Sequence, residues 1–166
     1  MEVKTVVLVP MTEDEFEAFW QWAIPDYAQD KVRNGSWTEP EALQKSEEER
    51  RERLPLGLYT PGQHLLTIHD PVLGSNVGML WFSQLDHIPG KPAFLYQFKI
   101  DEPFRRQGYG LAALQALEEK VEALGGTAVW LHVFGHNAPA RSMYAKAGYE
   151  VMDLTMAKAV GPDQDT

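Results

Sequence analysis

The spacing of apolar positions along this chain switches between helical and strand periods several times. Residues 4–9 form a β-branched apolar run of strand character. Beyond it Phe16, Phe19, Trp20 and Ala23 recur at helical spacing, behind Thr12 as N-cap and Glu15 three residues on, the pattern of a capping box. Pro25 is expected to kink or break this helix, and Asn34-Gly35 marks a turn. Residues 39–54 are densely charged, with Ala42, Leu43, Ser46, Arg50 and Leu54 along one side. They predict an exposed second helix that Pro55 ends. From residue 64 the chain reads as strands: 64–69, 76–85 and 94–100, separated by turn residues, predict an antiparallel meander. From Gly108 the spacing is helical again, with Leu111, Leu114, Leu117, Val121 and Leu124 on one face and Gly125-Gly126 as the stop. Residues 128–133 form another interior strand. Asn137 and Pro139 open a short helix that Gly148 closes, and 149–156 is a last strand before a polar tail at 161–166.

The resulting order is strand, two helices, three strands, helix, strand, helix, strand. It predicts one mixed α/β (α+β) domain over residues 1–166, with no repeat and no linker. The 166 residues are enough to bury roughly 70% of the surface that the unfolded chain exposes. Cysteine is absent, which removes thiolate catalysis, cysteine-ligated zinc and disulfides together and suits a reducing compartment. The apolar run within the first ten residues is too short for a signal-peptide core. No stretch approaches the ~20 apolar residues of a membrane helix. The expected protein is cytoplasmic, without a membrane partner. A net charge of −9 opposes nucleic-acid binding and mildly favours a cationic substrate such as an amine. His64, His69, His87 and His136 form no metal spacing with nearby acids, so no metal site is expected.

Two clusters carry candidate chemistry. Arg105, Arg106, Gln107, Gly108, Tyr109 and Gly110 follow a predicted strand and open a predicted helix. A helix start offers unpaired N–H groups and the positive end of a dipole, glycines let an anion approach the backbone, and arginines add charge-assisted bonds. The ligand implied is a pyrophosphate; the bland alternative is a plain turn with two solvated arginines. Gly108-x-Gly110-x-x-Ala113 also fits a dinucleotide fingerprint. However, Pro103, Phe104 and two arginines intervene after the strand, and no acid stands about 20 residues on to bind a ribose. The second cluster is Asn137, Arg141 and Tyr144, which share one side of a helix, followed by Gly148-Tyr149. By itself it is as well explained by Asn137 as a helix cap and Tyr144 as a core aromatic.

Together the clusters resemble the GNAT acetyltransferases. Arg105-x-x-Gly108-x-Gly110 matches that family's phosphate loop, and the segment from Asn137 through Tyr144 to Gly148-Tyr149 matches its later helix and strand, with Ala140 as the alanine in this register. Residues 131–137 and 54–61 also look like a group of bacterial GNAT proteins of similar length. The resemblance covers most of the chain. It implies a central mixed, mostly antiparallel sheet of 6–7 strands with about four helices, in which 94–100 and 128–133 splay apart to admit acetyl-CoA. It further implies that Phe98 and Ile100 bind the pantetheine arm through their backbones, that residues 105–110 hold the pyrophosphate, and that Asn137 and Arg141 belong to the cofactor site. Tyr144 would be the catalytic acid near the sulfur, and a backbone N–H around Phe98 would stabilise an oxyanion.

The implied activity is direct acetyl transfer to a primary amine of a small molecule or a protein. Related proteins often place an acid where Gln97 stands, which leaves His132, Asp101, Glu102 or a water chain as bases. It also leaves room for a CoA-binding sensor with little catalysis. Trp20, Tyr27, Asn34, Trp37 and the loop 59–62 are candidates for the acceptor side. Open edges at the last strands are compatible with a homodimer.

Overall fold

The computed structural model describes residues 3–162. Met1 and Glu2 of the first apolar run, and residues 163–166 of the polar tail, lie outside the described residues. The meander forms as β2 (Gln63–Asp70), β3 (Ser75–Gln84) and β4 (Ala93–Ile100), all antiparallel. β1 (Val7–Pro10) pairs antiparallel with β2 and starts later than the apolar run suggests, while β5 (Val129–Leu131) pairs parallel with β4. The sheet order is β1-β2-β3-β4-β5.

Helices cover both faces of this sheet, so consecutive strand residues are apolar and the alternation sorts them between two cores. Leu66, Ile68, Leu80, Phe82 and Leu95 pack on one side with Leu114, Leu117 and Val121 of α3 (Tyr109–Ala123). Leu65, Met79 and Trp81 pack on the other with Phe19 and Ala23 of α1 (Glu13–Arg33). Leu111 and Leu124, at the ends of the predicted α3 stripe, are exposed. The predicted capping box at Thr12 and Glu15 is present. α2 (Glu39–Arg53) lies on α1, and the Ser46 hydroxyl donates to the Ile24 carbonyl at 2.7 Å. α4 (Ala138–Lys146) completes the helices and contributes Met143 and Tyr144 to the first core.

Two expectations are corrected. Pro25 neither ends nor breaks α1, which runs continuously through it. Proline removes the hydrogen bond to the carbonyl four residues back, here that of Gln21. Gln21 and Pro25 are both exposed, so that carbonyl can be solvated, while buried Phe19, Ala23, Ile24 and Ala28 hold the helix on either side. The strand expected at 149–156 is absent. Gly148 ends α4 at φ +92°, Tyr149 still packs on the core, and from Glu150 the chain is exposed without a ladder partner. The sheet therefore has five strands among the described residues rather than 6–7. β5 is also shorter than the expected 128–133.

One buried contact ties the start of α3 to the β2–β3 turn. The Tyr109 hydroxyl donates to the Asp70 carboxylate, which also accepts the N–H groups of Val72 and Leu73. The Tyr109 bond, first among these, holds the Asp70 carboxyl below its ordinary range. Tyr109→Phe leaves a buried acceptor one donor short and is expected to cost about 1–3 kcal/mol in urea unfolding at neutral pH. A depressed folded-state pKa stabilises above the unfolded value of 3.8 and is lost as pH falls through the folded one, so the gap between wild type and variant should shrink on acidification below that value.

Candidate active site

β4 and β5 stay together for only three pairs, Ala93↔Val129, Phe94↔Trp130 and Leu95↔Leu131. At the next residue the register of β4 against β3 slips. Trp81 lies opposite Gln97 and Phe82 opposite Leu95, so Tyr96 is an extra residue with no partner. An extra residue of this kind bends its strand and increases the local twist. β4 therefore turns away from β5 where pairing stops, and a cleft of about 1230 Å³ opens between them.

The bulge also decides which backbone groups face the cleft. Before it, the Ala93 N–H bonds to the Ala128 carbonyl on the β5 side. After it, the Asp101 N–H bonds to the Val77 carbonyl on the β3 side. Strand residues alternate, so Phe98 and Ile100 aim their N–H and C=O groups away from β3 and into the cleft. Both residues line it.

The cleft's lower wall is the loop into α3. Arg106 (φ +61°) and Gly108 (φ +93°) are both left-handed, and this conformation is strained at the arginine and readily accessible to the glycine. Among the described residues no protein acceptor takes the N–H of Gln107, Gly108 or Gly110, and the last two residues line the cleft. A Cβ on Gly110 would come within 2.5 Å of the Met143 sulfur, so glycine lets α4 lie close to this first turn. Arg105 is exposed on the cleft, and its Nε donates to the Ile100 carbonyl at 2.8 Å, bracing the loop against the end of β4. Gln107 turns back to the Pro103 carbonyl and does not line the cleft, whereas Arg106 is exposed on it. The Tyr109 side chain is buried against Asp70, so only its backbone is left for the cleft.

From the opposite wall, Tyr144 lines the cleft with its ring 6.4 Å from that of Phe98. Burial pushes its phenol up to about 12, so it holds its proton through the neutral range. Asn137 lines the cleft and also caps α4, its Oδ1 accepting the Ala140 N–H at 3.3 Å. Arg141 stands outside the lining and donates to the Gly135 carbonyl, holding the β5–α4 loop.

A parallel strand pair that splays at a bulge, beside a glycine-rich helix start and a facing tyrosine, agrees with the comparisons to known proteins. The sequence model of the acetyltransferase (GNAT) family matches residues 16–149. The chain belongs to the GNAT family. It is 35% identical over 156 residues to YycN, an uncharacterised N-acetyltransferase of Bacillus subtilis, covering 93% of this chain and 98% of that protein. It is 37% identical over 151 residues to YdgE, another from the same organism, covering 91% and 96%. The crystal structure of YycN aligns with a TM-score of 0.88 over 94% of this chain and 99% of that one. Family and relatives make this protein an N-acetyltransferase.

Within this GNAT protein Gln97 has a definite task. Its Oε1 accepts a 2.8 Å bond from Nη2 of Arg50, which is only 6% exposed and whose guanidinium lies over the rings of Tyr27 (4.8 Å) and Trp81 (5.3 Å). Burial lowers the Arg50 pKa to about 10, so the group stays charged at neutral pH. An acid at 97 would be tied to this cation rather than free as a base. Of the bases weighed from the sequence, His132 lines the cleft, while Asp101 and Glu102 do not.

The residue that sequence reasoning missed is Asp26. With Trp22 and Asp30 it forms an i, i+4, i+8 stripe of α1, and all three line the cleft. Asp26 is accessible on the cleft wall, yet its carboxyl is pushed above the ordinary range by desolvation first and by Asp30 next. The four-residue spacing of acids beside a tryptophan is the signal available in the sequence. Of the acceptor-side candidates, only Tyr27 lines the cleft. Its hydroxyl donates to Glu49, and Trp37 packs edge-on to its ring. Trp20 packs against the second core, and Tyr59 bonds to Glu13.

Gln97→Ala leaves the Arg50 Nη2 without its side-chain acceptor. A hydrogen bond to a charged group contributes about 1.5–3 kcal/mol, and a loss of this size is expected in chemical denaturation.

Proposed function

We propose that this GNAT protein moves an acetyl group from acetyl-CoA to a primary amine, of a small molecule or of a protein, inside the β4–β5 cleft and in the cytoplasm. The observation that carries this reading is the Tyr96 bulge, which opens the parallel pair and turns the Phe98 and Ile100 amide groups into the gap beside the loop 105–110. These residues fit the cofactor. Open N–H groups at Gln107, Gly108 and Gly110 and the start of α3 suit a pyrophosphate. The exposed edge of β4 suits an extended amide-bearing arm.

Acetyl-CoA, when bound, supplies an acyl carbon activated as a thioester. The remaining work falls to the chain's own residues. An alkylammonium has a pKa near 10.4 and must lose a proton before it can attack. Asp26, whose carboxyl is raised and which stands on the acceptor wall, takes that proton directly or through water. The Phe98 N–H, which faces the cleft, would stabilise negative charge developing on the thioester carbonyl oxygen. As the nitrogen–carbon bond forms and the carbon–sulfur bond breaks, Tyr144 would give its proton to the departing sulfur, and the second proton leaving the attacking nitrogen would restore the phenol through water, so that amide, thiol and neutral Tyr144 result. The Arg50–Gln97 brace weakens the case for a non-catalytic CoA sensor, because the missing acid at 97 is accounted for by packing.

Isothermal titration with acetyl-CoA should show saturable binding. Gly108→Ala puts a side chain into a left-handed position and should weaken that binding about tenfold or more. A wild-type protein that gives neither heat nor a thermal shift would overturn the reading.

With an amine acceptor, Tyr144→Phe should lower kcat about 10²-fold or more while leaving acetyl-CoA affinity within a factor of a few. The wild-type rate should rise with pH through an ionisation above the ordinary aspartate value, because the base works deprotonated. In Asp26→Asn that limb should disappear along with most of the rate. A wild-type pH profile retained in Asp26→Asn would assign the base elsewhere.

A further inference from the structure

The chain carries a net charge of −9, yet its acceptor wall gathers cations. Lys31 on α1, Arg50 and Arg53 on α2, and Lys99 on β4 all line the cleft. Each lies over an aromatic ring: Lys31 over Trp37 at 5.4 Å, Arg50 over Tyr27 at 4.8 Å, Arg53 over Tyr96 at 4.6 Å and Lys99 over Trp22 at 4.1 Å. A ring face attracts a cation and holds it in place without neutralising it.

The ion pairs among the described residues involve none of these four. They join Lys45 to Glu41, Arg51 to Glu47 and His136 to Asp30. Among the described residues Lys31, Arg53 and Lys99 also have no side-chain hydrogen bond, and Arg50 has one, to Gln97, with its buried Nε unmatched. Like charges gathered without counter-ions repel one another and lower stability. Arg50 and Arg53 are close enough to oppose each other in this way.

The acids of the wall do not restore the balance. Asp30 is bonded to the His136 ring at 3.0 Å, and Glu49 accepts the Tyr27 hydroxyl at 2.9 Å. Glu52 stands on a smaller recess beside Lys31 and Arg53, outside the cleft. Of the three acids lining the cleft, Asp26 alone has no hydrogen bond or ion pair among the described residues. The wall therefore offers one open carboxylate and several open cations. An alkylamine or a polyamine brings positive charge and leaves those cations unmatched. An amino acid brings both signs within a few atoms, an ammonium for the carboxylate and a carboxylate for the cations. Asp26 feels the charges of Lys99 and Arg50, so the two halves of such a molecule find their partners side by side. A protein or peptide amine has lost the adjoining carboxylate to a peptide bond.

Resting on the acetyl-transfer reading above, we propose that the acceptor is a free amino acid, held by its amine at Asp26 and by its carboxylate at Lys99 and Arg53, with Lys31 and the buried Arg50 adding positive charge around it. The carbon–sulfur bond of the thioester breaks and an amide bond forms on the amino nitrogen. One proton of the ammonium goes to Asp26, a second replaces the one that Tyr144 gives to sulfur, and the products are an N-acetyl amino acid and the CoA thiol.

Thiol release from acetyl-CoA should be measured with the common amino acids, and with ethylamine, spermidine and a peptide amide as amines without a free carboxylate. The best amino acid should exceed each of these, and its own carboxamide, by about tenfold or more in kcat/KM, because a site built for a polar group rejects the analogue that lacks it. Lys99→Gln with Arg53→Gln should lower the acid-to-carboxamide ratio about tenfold, chiefly through KM. Equal rates for acid and carboxamide overturn the proposal, and so does a preference for spermidine or the peptide amide, or a ratio unchanged in the double variant. If that variant does not fold, the wild-type ratio decides. Titration with acetyl-CoA separates the two readings. A wild type that binds acetyl-CoA but acetylates no amino acid refutes the amino-acid acceptor and leaves acetyl transfer to other amines standing, whereas one that binds no acetyl-CoA removes both.

Discussion

The site depends on one irregular residue in an otherwise regular sheet. Tyr96 has no partner on β3, and it follows Leu95, the last residue of β4 that pairs with β5. A bulge there does two things at once. It bends β4 out of the parallel pairing, and it reverses which residues present their amides to the β5 side. Without the extra residue, Phe98 and Ile100 would turn their N–H and C=O groups towards β3 and the gap would face a different edge. The neighbouring elements follow from this bend. Arg105 fastens the α3 loop to the Ile100 carbonyl at the far end of β4, so the glycine-rich turn is braced against the open strand edge. Gly110 then lets α4 come close enough to bring Tyr144 to the opposite wall.

Charge within the cleft is divided between its two ends. Arg105 and Arg106 stand at the α3 loop, whereas on the α1 side Asp26 and Asp30 share the wall with Lys31 and Lys99, and Asp30 also bonds to the His136 ring at 3.0 Å. Between them the buried Arg50 contributes a fixed positive charge, neutralised in part by the Tyr27–Glu49 pair beside it. Its stacking on Tyr27 and Trp81 joins α2, α1 and β3 at one point, so the guanidinium belongs to the frame of the acceptor wall. An enzyme that must deprotonate an amine benefits from a carboxylate whose pKa is raised by its surroundings. Asp26 meets that condition because desolvation first, and the like charge of Asp30 one turn on next, push its carboxyl above the ordinary range.

Much of this was legible in the chain because the signals were local. The capping box at Thr12, the meander turns, the glycines at 108 and 110 and the Asn137 cap act within a few residues of themselves, and each appears where the spacing puts it. The resemblance then added that 94–100 and 128–133 run parallel and part, as β4 and β5 do. What was not legible depends on long-range partners. Arg105 braces its loop by donating from Nε to the Ile100 carbonyl, a bond that the sequence does not show. Gln97 looks like a lost acid and is found holding an arginine 47 residues away. Pro25 looks like a helix breaker, but the carbonyl it frees lies on the exposed side. The segment 149–156 has strand composition, and composition cannot say whether a partner edge lies within reach in the same copy.

That last point follows from the geometry of the cleft itself. A parallel pair that must part to admit a ligand cannot be long, and β5 keeps only three ladder positions on its inner side. Its other contacts come from one face, through Leu131 and Val129 on the first core. The bulge fixes the β4 side of the gap from within the sheet. A cleft made by dividing a sheet therefore leaves β5 short, and among the described residues the segment after Gly148 finds no ladder partner in the same copy.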